Sequence, residues 1–178
     1  MLGKFAVAHL MLDVSCLKSS STMIRIAENK DYASLVSLFI EENEHNNDVA
    51  PDRVANTRDV LSQAELEEII SDTSTYLGVY EHDGEVSGLI LGTHHTIEAK
   101  RWLPERNFVY LEELIVTKSM RGNGVAFKLV KSLETWAETF GANCIDLHVW
   151  YKNDLARDFY KRLGFEDKQA LMSIRINS

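Results

Sequence analysis

The chain has 178 residues and a mass of 20.2 kDa, with 45% hydrophobic and 26% charged residues, which fits one globular domain and excludes wholesale disorder and fibrous architectures. Lys and Arg number 19 against 27 Asp and Glu, so the net charge is −8 and the pI lies near 5.2. That balance argues against nucleic acid and anionic membranes as partners, because both are held by basic patches, and it favours cationic partners instead.

Residues 1–22 read as an N-terminal extension outside the fold. Phe5 to Leu12 is apolar and follows Lys4, as in a signal peptide, but His9 and Asp13 interrupt it and no Ala-x-Ala-like site follows. Ser19, Ser20 and Ser21 form a polar linker, and Met23 to Ala27 then alternates as a first strand does. The domain is therefore expected over residues 23–178, with residues 1–22 dispensable.

Asn29 to Glu44 carries Leu35, Leu38 and Phe39 at helical spacing. The acidic stretch Glu41 to Asp52 leads into a solvated loop, and a second helix is expected over Thr57 to Ile70. Tyr76 to Tyr80, the turn His82-Asp83-Gly84 and Val86 to Leu91 read as a hairpin. Phe108 to Val116 is a fourth strand, with Val109, Leu111, Glu113 and Ile115 on one face and Tyr110, Glu112, Leu114 and Val116 on the other. Val125, Leu129, Leu133, Trp136 and Phe140 mark an amphipathic helix that ends before Gly141. Cys144 to Trp150 is a fifth strand. Asn153 caps a helix striped by Leu155, Phe159 and Leu163 and stopped by Gly164, and Phe165 to Ile176 is expected to close the sheet with one or two strands. The order is that of a mixed α/β domain with a single sheet. No apolar run approaches the ~20 residues of a membrane-spanning helix.

Between the fourth strand and the helix at Val125 lies the stretch richest in chemistry. Gly122 and Gly124 allow backbone conformations that side chains forbid, so several N–H groups can converge on an anion. The helix that follows adds its free N–H groups and dipole, and Arg121 can add a charge-assisted hydrogen bond. This is a pyrophosphate cradle. It is not a P-loop, since no Gly-Lys-Ser/Thr is present, nor a dinucleotide fingerprint, since Phe127 stands where glycine or alanine is needed.

Arg121-Gly122-Asn123-Gly124-Val125-Ala126 resembles the Arg/Gln-x-x-Gly-x-Gly/Ala signature of the GCN5-related N-acetyltransferases (GNAT). Asn153 to Phe165 likewise resembles that family's Asn-x-x-Ala-x-x-Phe-Tyr-x-x-x-Gly-Phe block, and the likeness extends over about Met23 to Ile176. It implies a GNAT-like mixed sheet of about six to seven strands flanked by about four helices, with the fourth and fifth strands splayed apart. It also implies acetyl-CoA as cosubstrate. The pantetheine arm would lie along Leu114, Ile115 and Val116, and the phosphates would sit on Arg121, Gly122, Asn123, Gly124, Val125, Ala126 and Phe127. Asn153 would hold the pantetheine or its diphosphate end, with Ala156 and Phe159 lining the cofactor side.

The implied reaction transfers an acetyl group to an amine by direct attack in a ternary complex, without metal. Something must take a proton from the ammonium, and the departing CoA thiolate benefits from a donor. By resemblance the donor is Tyr160. Glu112 is the candidate base, since Glu113 points the other way unless a bulge changes the register. The Tyr110-Leu-Glu-Glu-Leu114 run is particularly similar to polyamine (diamine) acetyltransferases, which suggests a small cationic acceptor such as a polyamine, aminoglycoside or amino acid derivative. Two alternatives stay open: a protein N-terminus or lysine as acceptor, and a non-catalytic acyl-CoA-binding module. A homodimer is open as well.

His94 and His95 are strand neighbours that point to opposite faces without a third ligand, so both are expected to be structural or exposed, and His148 is expected in packing. Cys16 and Cys144 match no metal spacing and imply a reducing, cytoplasmic setting, with Cys144 a small buried strand residue. Trp150 and Tyr151 either wall the acceptor site or seal the core.

Overall fold

A computed structural model describes residues 21–176. The expected extension lies, up to residue 20, outside the described residues. Strand β1 (Thr22–Ile26) pairs antiparallel with β2 (Thr75–His82), and β2 with β3 (Glu85–Ile97), through a two-residue turn in which Asp83 and Gly84 take φ of 52° and 85°. Positive φ at both central residues matches the right-handed twist of a tight hairpin. Strand β4 (Arg106–Val116) runs antiparallel to β3, and β5 (Cys144–Leu147) runs parallel to β4, giving a five-stranded sheet in the order β1-β2-β3-β4-β5.

Helices α1 (Tyr32–Val49) and α2 (Gln63–Ser71) cover one face, where Leu35, Leu38, Leu61 and Leu66 pack on Leu77, Val79, Leu89, Leu91 and Ile115. Helix α3 (Val125–Glu138) covers the other, burying Val125, Leu129, Val130 and Leu133 against Tyr76, Tyr80, Ile90, Val109 and Leu111. Phe159, Tyr160 and Leu163 of and just beyond α4 (Asp154–Arg162) pack at the edge of that second cluster. Arg25 fastens α1 to the sheet: it bonds both carboxylate oxygens of buried Asp31 at 2.7 and 2.8 Å and Glu81 at 2.8 Å. The Arg25 hydrogen bonds hold the Asp31 carboxyl below the usual carboxylate range.

Four sequence expectations are corrected. The described sheet has five strands, not six to seven, because residues 165–176 form none; Leu171, Met172, Ile174 and Ile176 are 87–91% exposed. Strand β5 is only four residues long, so it presents little ladder to a following strand. Helix α1 runs five residues past its expected end at Glu44, to Val49, so most of the acidic stretch is helical rather than a loop. Its Asn43 and Asn47 side chains bond the carbonyls of Ala55 and Val54, which ties those last turns to the segment that follows. Helix α2 begins six residues later than expected from Thr57, at Gln63, where Ser62 and Glu65 form a capping box.

The register of β4 is the fourth correction, and it shapes the site. Leu91 pairs with Glu113 but Gly92 pairs with Leu111, so Glu112 is the extra residue of a β-bulge. Beyond it the faces exchange: Val109 and Leu111 pack with Val116 under α3, while Ile115 joins the cluster under α1 and α2. A strict alternation puts Val109 and Leu111 on the same face as Ile115. The bulge breaks it.

Candidate active site

The bulge coincides with a split in the sheet. Pairing between β4 and β5 ends at Leu111 and Leu147, whereas β4 stays paired with β3 as far as Val116. Leu114, Ile115 and Val116 therefore have a strand on one side only. An extended chain carrying amide groups can add to such an edge as a further strand does.

Just beyond β4, Gly122 and Gly124 take φ of 78° and 74°, in the left-handed region where a side chain is strained. Gly124 is the N-cap of α3 and no side chain caps that helix, so the first N–H groups at Val125, Ala126 and Phe127 are free of a side-chain acceptor. With the helix dipole behind them they form an anion-binding mouth, which fits a diphosphate. Asn123 braces the loop by donating to the carbonyls of Met120 and Arg121. Arg121 itself is committed within the protein: Nε donates to the Val116 carbonyl at 2.9 Å and Nη2 to Glu41 at 3.0 Å. Glu41 also accepts from the Lys118 N–H at 3.0 Å, so the end of α1 is buckled to the cradle.

On α4, Asn153 is the cap: its Oδ1 accepts from the Ala156 N–H at 3.2 Å, and its Nδ2 lies 3.3 Å from His45 Nε2 of α1. Ala156 and Phe159 are half-buried. Tyr160 sits edge-on between Phe159 and Phe165, at ring separations of 5.3 and 5.4 Å. Burial pushes its phenol pKa up, and the nearby carboxyl groups of Glu42 and Glu113 push it further.

Those carboxyl groups line the space under α1 and α2. A cavity of about 390 Å³ is bounded by Phe39, Val60, Leu91 and Glu113, with Glu65, Glu68 and Asp72 on its rim. A neighbouring cavity of about 210 Å³ shares Phe39, Val60 and Glu113 and adds Glu42, Asn46 and Asp59. No Lys, Arg or His lines either one. Glu113 and Glu42 both line this second cavity, close enough for each carboxyl to act on the other. Burial raises both carboxyl pKa values, and for Glu42 the adjacent Glu113 adds to the rise, so Glu42 keeps its proton well above the usual carboxylate range. Glu112 is exposed and accepts a hydrogen bond from the Thr93 hydroxyl.

Sequence reading gives Glu41 and Glu42 no individual role, because an acidic run at the end of a helix reads as solvated. A signal was present: Glu42 continues the stripe Leu35, Leu38, Phe39 by one more helical step, placing a carboxyl on the inward face of α1. Among the other expectations, His94 bonds Asn107 at 2.7 Å and stacks on Phe140, His95 is exposed, and His148 touches the Tyr110 hydroxyl. Cys144 is exposed rather than buried, since β5 is an edge strand. Tyr151, 82% exposed, does not seal the core. Among the described residues no group of three or more His, Cys, Asp or Glu is placed to hold a metal ion, and no helix is long and apolar enough to cross a membrane.

Comparison with known proteins places this architecture. Residues 32–165 match the family model described as the acetyltransferase (GNAT) family. An uncharacterized N-acetyltransferase of Methanocaldococcus jannaschii, MJ1530, is 37% identical over 95 residues, which cover 52% of this chain and 54% of that relative, so the match spans about half the relative's length. Among solved structures, a mutant of the BH1408 protein from Bacillus halodurans superposes with a TM-score of 0.83 at 18% identity, covering 87% of this chain and 99% of that one. Aminoglycoside N-acetyltransferase AAC(6')-Iy in complex with CoA superposes with a TM-score of 0.68 at 19% identity, covering 92% and 99%. At these identities the structural likeness speaks for the fold. The family match runs from the first residue of α1 to just beyond α4, across the split sheet and the cradle, and the chain belongs to the acetyltransferase (GNAT) family.

Proposed function

We propose that this chain transfers an acetyl group from acetyl-CoA to the amine of a small cationic acceptor. The observation that carries the reading is the meeting, at one split in the sheet, of an uncapped helix mouth and a carboxyl-lined groove without a basic residue. The mouth of α3 suits a diphosphate, the open edge of β4 suits an amide-bearing arm, and the groove suits an ammonium group. Val125, Ala126 and Phe127 would hold the phosphates through main-chain N–H groups, with Gly122, Asn123 and Gly124 shaping the turn. Leu114, Ile115 and Val116 would pair with the arm. Arg121 and Asn153 act by bracing the cradle and the cap, as their hydrogen bonds indicate.

Acetyl-CoA supplies the acyl group as a thioester; the chain's own residues manage protons and position. A carboxylate on β4 takes a proton from the acceptor's ammonium, and the neutral nitrogen bonds to the acyl carbon as the carbon–sulfur bond breaks. Sulfur leaves with the electron pair and receives the phenolic proton of Tyr160, and the second proton of the nitrogen, lost as the amide forms, passes to the Tyr160 phenolate and restores the phenol. The phenol's raised pKa keeps it protonated at neutral pH. Of the two β4 carboxylates, Glu113 lines the groove, lies close enough to Tyr160 to perturb it and has the raised proton affinity a base needs, whereas Glu112 is exposed and tied to Thr93. Glu113 is therefore the better base, in place of Glu112.

Thiol release from acetyl-CoA, measured against polyamines, aminoglycosides, amino acid derivatives and peptides, tests the reading. Turnover of a small amine supports it, and turnover of peptides alone replaces it with a protein acetyltransferase. Tyr160→Phe is expected to lower kcat by about 10²-fold or more while CoA affinity stays within about twofold. Unchanged kcat would remove Tyr160 from the proton path.

A further inference from the structure

Beyond the groups that touch the reactants, one carboxyl of this site stands beside the proposed base. Glu42 lies on α1 and, with Asn46 one turn on, lines the same cavity as Glu113 of the bulged strand. We propose that Glu42 is a positioning residue for acetyl transfer: its carboxyl group donates a hydrogen bond to Glu113 and holds that carboxylate toward the groove in which the acceptor amine is deprotonated. This rests on the transfer reading above and deepens it.

Glu42 and Glu113 line one cavity, from α1 and from the bulged strand. Two such carboxyl groups meet without repulsion when one of them holds a proton, and burial beside Glu113 raises the Glu42 pKa. With Glu42 as the acid, the second oxygen of Glu113 is left for the acceptor. The surroundings keep it that way. Glu112 faces the pair from β4, Tyr160 from α4 and Asp59 from the loop between α1 and α2, all neutral or anionic, and no Lys, Arg or His lines the shared cavity. A cation there would discharge the shared proton. The bulge is what makes the contact, because it turns Glu113 to the α1 side of the sheet.

The pair can be tested without an acceptor. In the intact protein labelled with 13C at glutamate Cδ, one carboxyl carbon is expected to titrate above neutrality, and in Glu42→Gln that transition should vanish, leaving Glu113 nearer the ordinary range. Two carboxyls that both titrate below about pH 5 in the unmodified protein would overturn the proposal. With any amine that the panel shows to be turned over, Glu42→Ala should lower kcat/KM by about 30-fold or more, and Glu42→Gln, whose amide can still donate, should recover at least about tenfold of that loss. The alkaline limb of the pH profile that reflects ionisation of Glu42 should be absent in Glu42→Gln. Equal losses in the two variants, with an unchanged pH profile, would reduce Glu42 to a packing role and overturn the proposal. A protein that binds CoA but acetylates no amine overturns the transfer reading instead, and the carboxyl titration then decides the pair by itself.

Discussion

The two sides of the split sheet are built on different physics. On the cosubstrate side, β4, the glycine turn, α3 and the cap of α4 work through main-chain groups. Gly122 and Gly124 occupy left-handed conformations, the helix mouth carries no side-chain cap, and Asn153 satisfies the first turn of α4. On the acceptor side, α1, α2 and the bulge of β4 work through side chains: Glu42, Glu113, Glu65, Glu68 and Asp72 around an apolar floor that includes Phe39 and Leu91. A main-chain cradle is insensitive to most substitutions but intolerant of bulk at its glycines. A side-chain groove is the reverse, since each carboxyl can be exchanged without disturbing the backbone. Glu41 couples the two, reaching from α1 to Arg121 and the Lys118 N–H.

Substitutions that strike one side only should sharpen this division. The largest effect is expected from Glu113→Gln, which removes the proposed base: kcat/KM should fall by about 10²–10⁴-fold with CoA affinity nearly unchanged. Glu112→Gln, measured in the same thiol-release assay, should lose much less. If Glu112 proves the more costly of the two, the base lies on the exposed side of the bulge. Next comes Gly124→Asp, which puts a strained side chain and a like charge at the diphosphate mouth. Calorimetry should show CoA affinity weakened by at least about tenfold, or about 1.4 kcal/mol, with the Glu42–Glu113 titration unaltered.

The smallest effect is on stability. Glu42 has a folded-state pKa above its unfolded value, so the folded chain keeps a proton that the unfolded chain has lost. Unfolding then releases that proton, and stability falls as pH rises from the ordinary carboxylate range toward the folded pKa. Glu42→Gln removes this penalty. It should raise stability by about 1 kcal/mol at pH 8, discounted for partial exposure, and by less at pH 5, as read from denaturant melts at the two values. A gain that is equal at both pH values would place Glu42's proton affinity in the ordinary range.

How much of this was legible in the sequence follows the same division. Asn153 and Gly164 bound α4, and Gly141 follows α3, as the sequence indicates, because caps and left-handed stops are set within a turn of chain. The end of α1 was not legible. Its last turns are acidic and polar, and they stay helical through bonds from Asn43 and Asn47 to a loop about ten residues on. The faces of β4 were misjudged from the bulge onward for a related reason: an inserted residue leaves no mark in a run of alternating side chains, and only the partner strand shows that Glu112 stands unpaired.

From its residues alone, the chain declares a phosphate-holding turn at the mouth of an amphipathic helix, because two glycines, an uncapped start and a periodic apolar stripe act over neighbouring positions. What folding alone decides is which acids share a proton. Glu42 and Glu113 come from separate elements, a helix and a strand, and they meet because β4 shifts register by one residue and turns Glu113 toward α1. Hydrogen bonds across a fold depend on such registers, which no short-range rule specifies.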